Sequence, residues 1–329
     1  MNRPLISVII TAFKKRTFLL TAIDSVLNQK TNISEYEIIL VTTWDTSSLP
    51  DDVLNRVRIV TIKDDKEPIN LINIGIKISR GEILCFLDDD DIFDENKLEI
   101  IKEIFLLYPS VGFVHNAFRL IDEDGKEINK SLGRYRYSSG KRDYFIRNRD
   151  VENKINKITS NEGITNASSI SVRRSSVFLS ASELSDLPGN WDGMIFCMCV
   201  KSGSDLFLYS KIMSSYRIHK QNNSKPQTYQ ALLYYLFRLK TSAEMIRLFL
   251  KDSEHHRLGD YDSTYWTIKE NIATGKKKPS VGEIFYLFKM FINFGLSAYL
   301  SIILLYLFYF LTGKSYYKFY FNRRAKRNA

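Results

Sequence analysis

A short apolar run that stops abruptly in four consecutive carboxylates constrains this chain more than any other stretch: Gly81-Glu-Ile-Leu-Cys-Phe-Leu-Asp-Asp-Asp-Asp91. Ile83 to Leu87 has the length and composition of a strand buried on both faces. In an extended backbone, alternate side chains point to opposite sides. Asp88 and Asp90 are therefore expected to share one side and Asp89 and Asp91 the other. Like charges a few ångströms apart repel by roughly 1 to 4 kcal/mol at effective dielectrics of about 80 to 20. Solvent, a cation or protonation must relieve such a cluster. Oxygen-only donors suit a hard ion, Mg²⁺ or Mn²⁺, and such ions commonly keep substrate phosphates in their shell. Asp91 or Asp94 is also placed to cap a helix beginning near Glu95. A cap uses one carboxylate, which leaves Asp88 and Asp90 for an ion.

The flanking pattern alternates strands and helices. Leu5 to Thr11 reads as a strand, followed by a loop and then by Leu19, Leu20, Ile23, Val26 and Leu27 at helical spacing. Tyr36 to Thr42 and Val57 to Ile62 read as further strands. Pro68 can open a helix carrying Ile69, Ile72 and Ile76 on one side and ending at Arg80-Gly81. Such alternation predicts an α/β, Rossmann-like fold with a mostly parallel central sheet flanked by helices. Ligands then collect at the carboxyl ends of strands, where Thr11, the loop of residues 42–46 and Asp88 to Asp91 all fall.

Beyond the central strand, a helix is expected from Glu95 to Leu107 and a strand from Val111 to Ile121, with Asp122-Glu-Asp-Gly125 as a hairpin turn. Residues 131–163 lack periodicity and read as a mobile substrate loop. Ala167 to Val172 resumes strand character, Ser175 to Leu184 and Asp192 to Lys201 read as helices, and Asp205 to His219 is a long alternating stretch. No Gly-x-Gly-x-x-Gly follows the first strand, and Gly313-Lys-Ser315 has Phe308 where a P-loop needs its first glycine.

The net charge of +10 resembles a nucleic-acid signature until it is located. Residues 276–329 carry ten Lys/Arg and one acid, Glu283, which leaves only +1 for residues 1–275. No nucleic-acid partner is expected. Met290 to Thr312 runs 23 residues without a charge, enough to cross a bilayer core. Six Lys/Arg follow within residues 313–329, suited to an anionic lipid surface. One span or two interfacial helices would fit, and a buried soluble helix is the competing reading. Tyr229 to Leu250 shows helical spacing ahead of this region. Three cysteines, Cys85, Cys197 and Cys199, form no even framework and read as reduced thiols. Met1 to Pro4 lead directly into a strand, so no leader is expected.

Several pieces in order then resemble the family 2 glycosyltransferases of GT-A fold over roughly residues 5–225. They are Ser7-Val-Ile-Ile-Thr-Ala-Phe13, Ala22-Ile-Asp-Ser-Val-Leu-Asn-Gln29, Glu37-Ile-Ile-Leu-Val41, Asn73-Ile-Gly75, the acidic stretch, Trp191-Asp192 and Tyr216-Arg-Ile-His219. The resemblance implies an inverting, metal-dependent transfer of a sugar, hexosyl or related, from a nucleotide diphosphate sugar to an acceptor hydroxyl. By it, Asp88 and Asp90 match the metal and diphosphate positions, with His219 as a further metal or phosphate contact. Asp192 matches the catalytic base, and Phe13 an aromatic against the nucleobase. Thr11, Ala12, Arg16, Thr43, Asp45, Asn73 and Asp89 complete the donor site. The chain departs from the pattern at Thr42 and Thr43, where two aspartates are usual, at Ile72, where arginine is usual, and at Trp191, where glutamate is usual.

The resulting division is a GT-A-like catalytic domain in residues 1–225, a helical extension in 226–279 and a membrane-associated region in 280–329. The expected acceptor is a glycan or a lipid-linked molecule at a membrane, with the catalytic domain on the cytoplasmic side. A non-catalytic nucleotide-sugar-binding membrane protein and a nucleotidyltransferase remain alternatives, separable by donor turnover and by the released phosphate.

Overall fold

The computed structural model describes residues 3–13, 17–62, 68–128, 142–155, 158, 166–178, 187–219, 222, 228–274, 282 and 285. The chain forms two compact units. One comprises Met1–Val151, Lys157–Leu187 and Trp191–His219, the other Glu152–Asn156, Pro188–Asn190 and Lys220–Ala329.

The first unit is built on one sheet. Its strands are β1 (Ile6–Ala12), β2 (Tyr36–Thr42), β3 (Arg58–Thr61), β4 (Ile83–Asp88), β5 (Ile92–Phe93), β6 (Val111–Ile121), β7 (Tyr144–Ile146), β8 (Ile170–Arg173) and β9 (Asp205–Arg217). They lie in the order β3-β2-β1-β4-β8-β6-β9-β5, with β7 also on β9. The half from β3 to β4 is parallel, as expected. The other half is not. β8 runs antiparallel between β4 and β6, and β5 and β7 run antiparallel to β9, leaving only β6 and β9 parallel there. The sheet is therefore mixed rather than mostly parallel. Strand direction depends on how the chain returns through connections, which local apolar pattern does not encode.

Alternation along the parallel strands feeds two layers. Ile6, Val8, Ile10, Ile38 and Leu40 pack with Leu19, Ala22, Ile23 and Val26 of α1 (Leu19–Leu27) and with Leu98, Ile101 and Phe105 of a later helix. Ile39 and Val41 face the other way, onto Leu71 and Ile74. Leu20, one of the apolar residues at helical spacing, is 40% exposed. A short helix α2 (Asp51–Arg56) follows β2, and α3 (Pro68–Ile78) precedes β4. Gly75 has a steric reason: a Cβ there would lie 2.4 Å from Ile9 Cγ2, so glycine lets α3 approach β1.

The helix expected near Glu95 begins two residues later, as α4 (Lys97–Leu107), and neither Asp91 nor Asp94 caps it through its side chain. The turn after β6 is a hairpin as read. Gly125 has φ +81, and Asp122 N donates to Lys126 O at 2.9 Å. Among the described residues of 131–163, three form β7 and two 3-10 turns follow at Asn148–Asp150 and Glu152–Lys154, while the rest of the expected substrate loop lies outside the described residues. Elements this short carry no periodic signature. The strand expected from Ala167 begins instead with a 3-10 turn, Ala167–Ser169, before β8. It is followed by α5 (Arg174–Val177), within the helix expected over Ser175 to Leu184, of which residues 179–184 lie outside the described residues, and later by α6 (Trp191–Lys201).

In the second unit, α7 (Tyr229–Leu250) and α8 (His256–Thr274) form an antiparallel pair. Thr228 caps α7 by accepting from Ala231 N, and Leu232 and Leu236 pack with Ala273 and Trp266. Lys240 pairs with Glu270 at 2.8 Å. Among the described residues no helix is long and apolar enough to cross a membrane. The apolar run 290–312 and the basic tail lie outside the described residues.

Candidate active site

Register alone gathers most of the expected donor site. Ala12 pairs with Thr42 and Thr11 with Asp88, so the carboxyl ends of β1, β2 and β4 are level. Two threonine hydroxyls tie the ends of β1 and β2 together: Thr42 Oγ1 donates to Ala12 O at 2.8 Å and Thr43 Oγ1 to Phe13 O at 2.5 Å. Phe13 packs against the layer of Ile39, Val41 and Leu71. Asp45 sits just beyond, its carboxylate accepting from the backbone and hydroxyl of Ser47. Asn73 is buried on α3 and Asp89 is buried beside the acidic turn. Arg16 lies outside the described residues.

The acidic stretch departs from simple alternation. β4 ends at Asp88 and the chain turns, with Asp91 N donating to Asp88 O at 3.3 Å. The turn swings Asp91 round to the side of Asp88 and Asp90. One carboxylate oxygen from each of the three lies within 4.8 Å of the others. Asp91 was expected on the far side; a two-residue period holds only while the backbone stays extended.

Asp91 is completely buried. Its Oδ1 accepts from Arg217 N at 2.9 Å, whereas its Oδ2 is enclosed without a hydrogen-bond partner. Burial, followed by the neighbouring Asp90 and Asp88 charges, pushes its pKa well above the ordinary carboxylate range, against the opposing bonds from Ser168 and the Arg217 backbone. A buried carboxylate with one unpartnered oxygen, gathered with two more carboxylates, is a set of hard donors short of positive charge. The residues present therefore fit a divalent ion such as Mg²⁺ or Mn²⁺.

The end of β9 clamps this turn. The buried guanidinium of Arg217 donates to Asp90 O at 2.8 Å and to Asp122 O and Glu123 O at 3.0 Å. Its other face lies over the Phe18 ring, 4.4 Å from the centroid. His219 Nε2 meets Asp90 Oδ2 at 2.8 Å, and its ring lies 5.4 Å from that of Phe18. His219 thus reaches the site through Asp90. Arg217 and Phe18 carry no role in the sequence reading, although Arg217 sits inside the Tyr216-Arg-Ile-His219 motif. An arginine that ends a strand next to a histidine was the available signal.

Asp192 occupies the first turn of α6 and accepts from Gly193 N at 3.0 Å. The preceding Trp191 ring meets Phe86 edge-on, 5.4 Å between centroids. Phe86 stands two residues before Asp88 on β4, so this contact seats the start of α6 against the strand that delivers the acidic turn. The three cysteines are buried thiols outside any disulfide; burial raises the Cys85 and Cys199 thiols, which suits inert core positions.

The family model described as Glycosyl transferase family 2 matches residues 7–172. An uncharacterized glycosyltransferase of Rickettsia bellii is 35% identical over 127 residues, covering 37% of this chain and 18% of that protein. The putative teichuronic acid biosynthesis glycosyltransferase TuaG of Bacillus subtilis is 26% identical over 136 residues, covering 40% of this chain and 53% of that protein. The matches therefore span from under a fifth to about half the length of these relatives. In fold, the chain is similar to S. aureus TarS 1-349 in complex with UDP-GlcNAc, with a TM-score of 0.59 at 12% identity, covering 88% of this chain and 81% of that one. It is also similar to the mannosyltransferase PcManGT from Pyrobaculum calidifontis in complex with GDP-Man and Mn²⁺, with a TM-score of 0.53 at 12% identity, covering 97% and 88%. The fold is thus GT-A-like, α/β with a mixed sheet.

Proposed function

The chain belongs to glycosyl transferase family 2, and from that premise we propose that it moves a sugar from a nucleotide diphosphate sugar to an acceptor hydroxyl with inversion. The observation that carries this reading is the meeting of Asp88, Asp90 and Asp91 within 4.8 Å at the level carboxyl ends of β1, β2 and β4. That is where an open α/β sheet receives its ligand. The bound UDP-GlcNAc and GDP-Man of the two structural neighbours support a nucleotide-sugar donor.

Asp88, Asp90 and Asp91 would hold a Mg²⁺ or Mn²⁺ ion, with His219 orienting Asp90. Such an ion, when bound, supplies positive charge against the leaving diphosphate. Thr11, Ala12, Phe13, Thr43, Asp45, Asn73 and Asp89 surround the donor, with the Phe13 ring beside the nucleobase, and Arg16 is assigned to the donor from the sequence alone. The Asp192 carboxylate takes the proton of the acceptor hydroxyl as its oxygen bonds to the anomeric carbon. The bond from that carbon to the diphosphate breaks, and its electron pair leaves on the nucleoside diphosphate. A single displacement of this kind inverts the anomeric centre.

The uncharged run 290–312 and the six cations behind it support an acceptor that is lipid-linked or lies at a membrane, with the catalytic unit on the cytoplasmic side. The test is incubation with a panel of nucleotide sugars and lipid extract, comparing the native protein with Asp192→Asn. Transfer should vanish in the variant while nucleotide affinity is kept, because only the transition state needs the proton acceptor. Near-native transfer by Asp192→Asn would remove Asp192 from the mechanism.

A further inference from the structure

Beneath the acidic turn lies a buried amino group that the chemistry above does not use. Lys97 opens α4, where a lysine would ordinarily carry its head to solvent, yet it is completely buried. Its Nζ donates to Asn116 Oδ1 at 2.8 Å and to Ser168 O at 2.6 Å, and it sits 4.1 Å from the centroid of the Phe93 ring. Enclosing an ammonium is unfavourable unless it is bonded on all sides, and an apolar side chain would fill the space without that penalty.

The residue gripped by Lys97 is the one that grips the acidic turn. Ser168 Oγ accepts from Asp88 N at 3.1 Å, and Asp88 O in turn accepts from Asp91 N at 3.3 Å. On the other side, Asn116 Nδ2 donates to Ser214 Oγ at 3.1 Å, Ser214 and Ser169 share a hydroxyl bond at 2.8 Å, and Asn166 Nδ2 donates to Ser169 Oγ at 3.0 Å. The network thus encircles residues 166–169. It also holds Asn166 at φ +64, a left-handed conformation that non-glycine residues adopt at a cost.

We propose that Lys97 is a positioning residue of the ion site: it fixes the turn of residues 166–169 and, through Ser168, sets where Asp88 and Asp91 present their carboxylates. The inference rests on the reading of the acidic turn as a divalent-ion site. Charge and position act with opposite sign here. As a charge, Lys97 repels an incoming cation, so its removal would tighten binding. As a positioning group, its removal loosens the donors and weakens binding.

The experiment is titration of Mn²⁺ alone into the full chain, read by calorimetry, for the native protein, Lys97→Met, Ser168→Ala and the double variant. Each single change should weaken Mn²⁺ binding on the order of tenfold, the usual scale for groups that orient metal ligands. Because Lys97 acts through Ser168, the double variant should bind no worse than the weaker single one. Unchanged or tighter binding by a Lys97→Met protein that still melts cooperatively overturns the inference, as do additive losses. If Lys97→Met does not fold, Lys97→Gln, which retains one donor, takes its place under the same criteria. Native protein that binds no Mn²⁺ overturns the ion-site reading and this inference together, whereas equal binding by native protein and variants overturns this inference alone.

Discussion

Asp91→Asn should make the ion-free protein more stable while weakening its hold on a divalent ion. The Asp91 carboxylate is completely buried and lies within 4.8 Å of oxygens from Asp88 and Asp90. At that separation each like-charge pair repels by about 1 kcal/mol at a dielectric of 80 and about 3.5 kcal/mol at 20. An asparagine keeps the acceptor used by Arg217 N, turns the unpartnered oxygen into a donor and removes the third negative charge of the cluster. Taking about 2 kcal/mol as the relief, at about 2 to 4 °C per kcal/mol, Tm should rise by about 4 to 8 °C in chelator at pH 7.5. The pH dependence has a definite sign. A carboxyl whose folded pKa is raised contributes stability at low pH that is lost as pH rises through the folded value. The advantage of the variant should therefore shrink on acidification, as Asp91 becomes protonated in the native protein. Mn²⁺ should reverse the trend, since an ion at 100 times its Kd adds about 2.7 kcal/mol to whichever protein binds it. Scanning calorimetry with chelator and with Mn²⁺ decides: a variant that melts below the native protein in chelator at pH 7.5 refutes the reasoning.

Arg217→Lys should lower stability by about 3 kcal/mol and weaken Mn²⁺ binding, because a point charge cannot reach the three carbonyls that the guanidinium fork serves; an unmoved urea midpoint would count against the clamp. Gly75→Ala should destabilise by about 1 to 3 kcal/mol despite the better helix propensity of alanine, since the new methyl meets Ile9 Cγ2 at 2.4 Å. A raised urea midpoint would show that α3 can shift freely. Removing residues 276–329 should move the protein to the soluble fraction with nucleotide binding intact and reduce transfer to a lipid acceptor more than donor hydrolysis. Aggregation with loss of nucleotide binding would instead mean that the segment packs on the core.

What was legible in the sequence is what local pattern controls. The apolar run into Asp88 is a buried strand, Asp122 to Gly125 is a hairpin turn, and Tyr229 to Leu250 is a helix with the bounds its spacing implied. Level strand ends follow from parallel pairing, so Thr11, Thr43 and Asp88 could be placed together before any geometry was known. Features decided by distant partners were not legible. Asp91 changes side because a turn replaces the strand, and β8 reverses direction between two strands whose patterns look alike. Lys97 resembles an ordinary surface lysine until Asn116 and Ser168, 19 and 71 residues away, close around it.

The clamp at the end of β9 also bears on how the molecule reaches its native state. Arg217 joins the turn at Asp90, 127 residues earlier in the chain, so the loop it closes is among the costlier ones to form. The carboxylates it secures repel one another. Contacts that are both remote and mutually repulsive are expected to be absent from the folding transition state and to form on its native side. An ion bound there should leave the folding rate nearly unchanged and slow the unfolding rate. In the cell, occupancy of the site would then govern how long a folded molecule lasts rather than how quickly a new one matures.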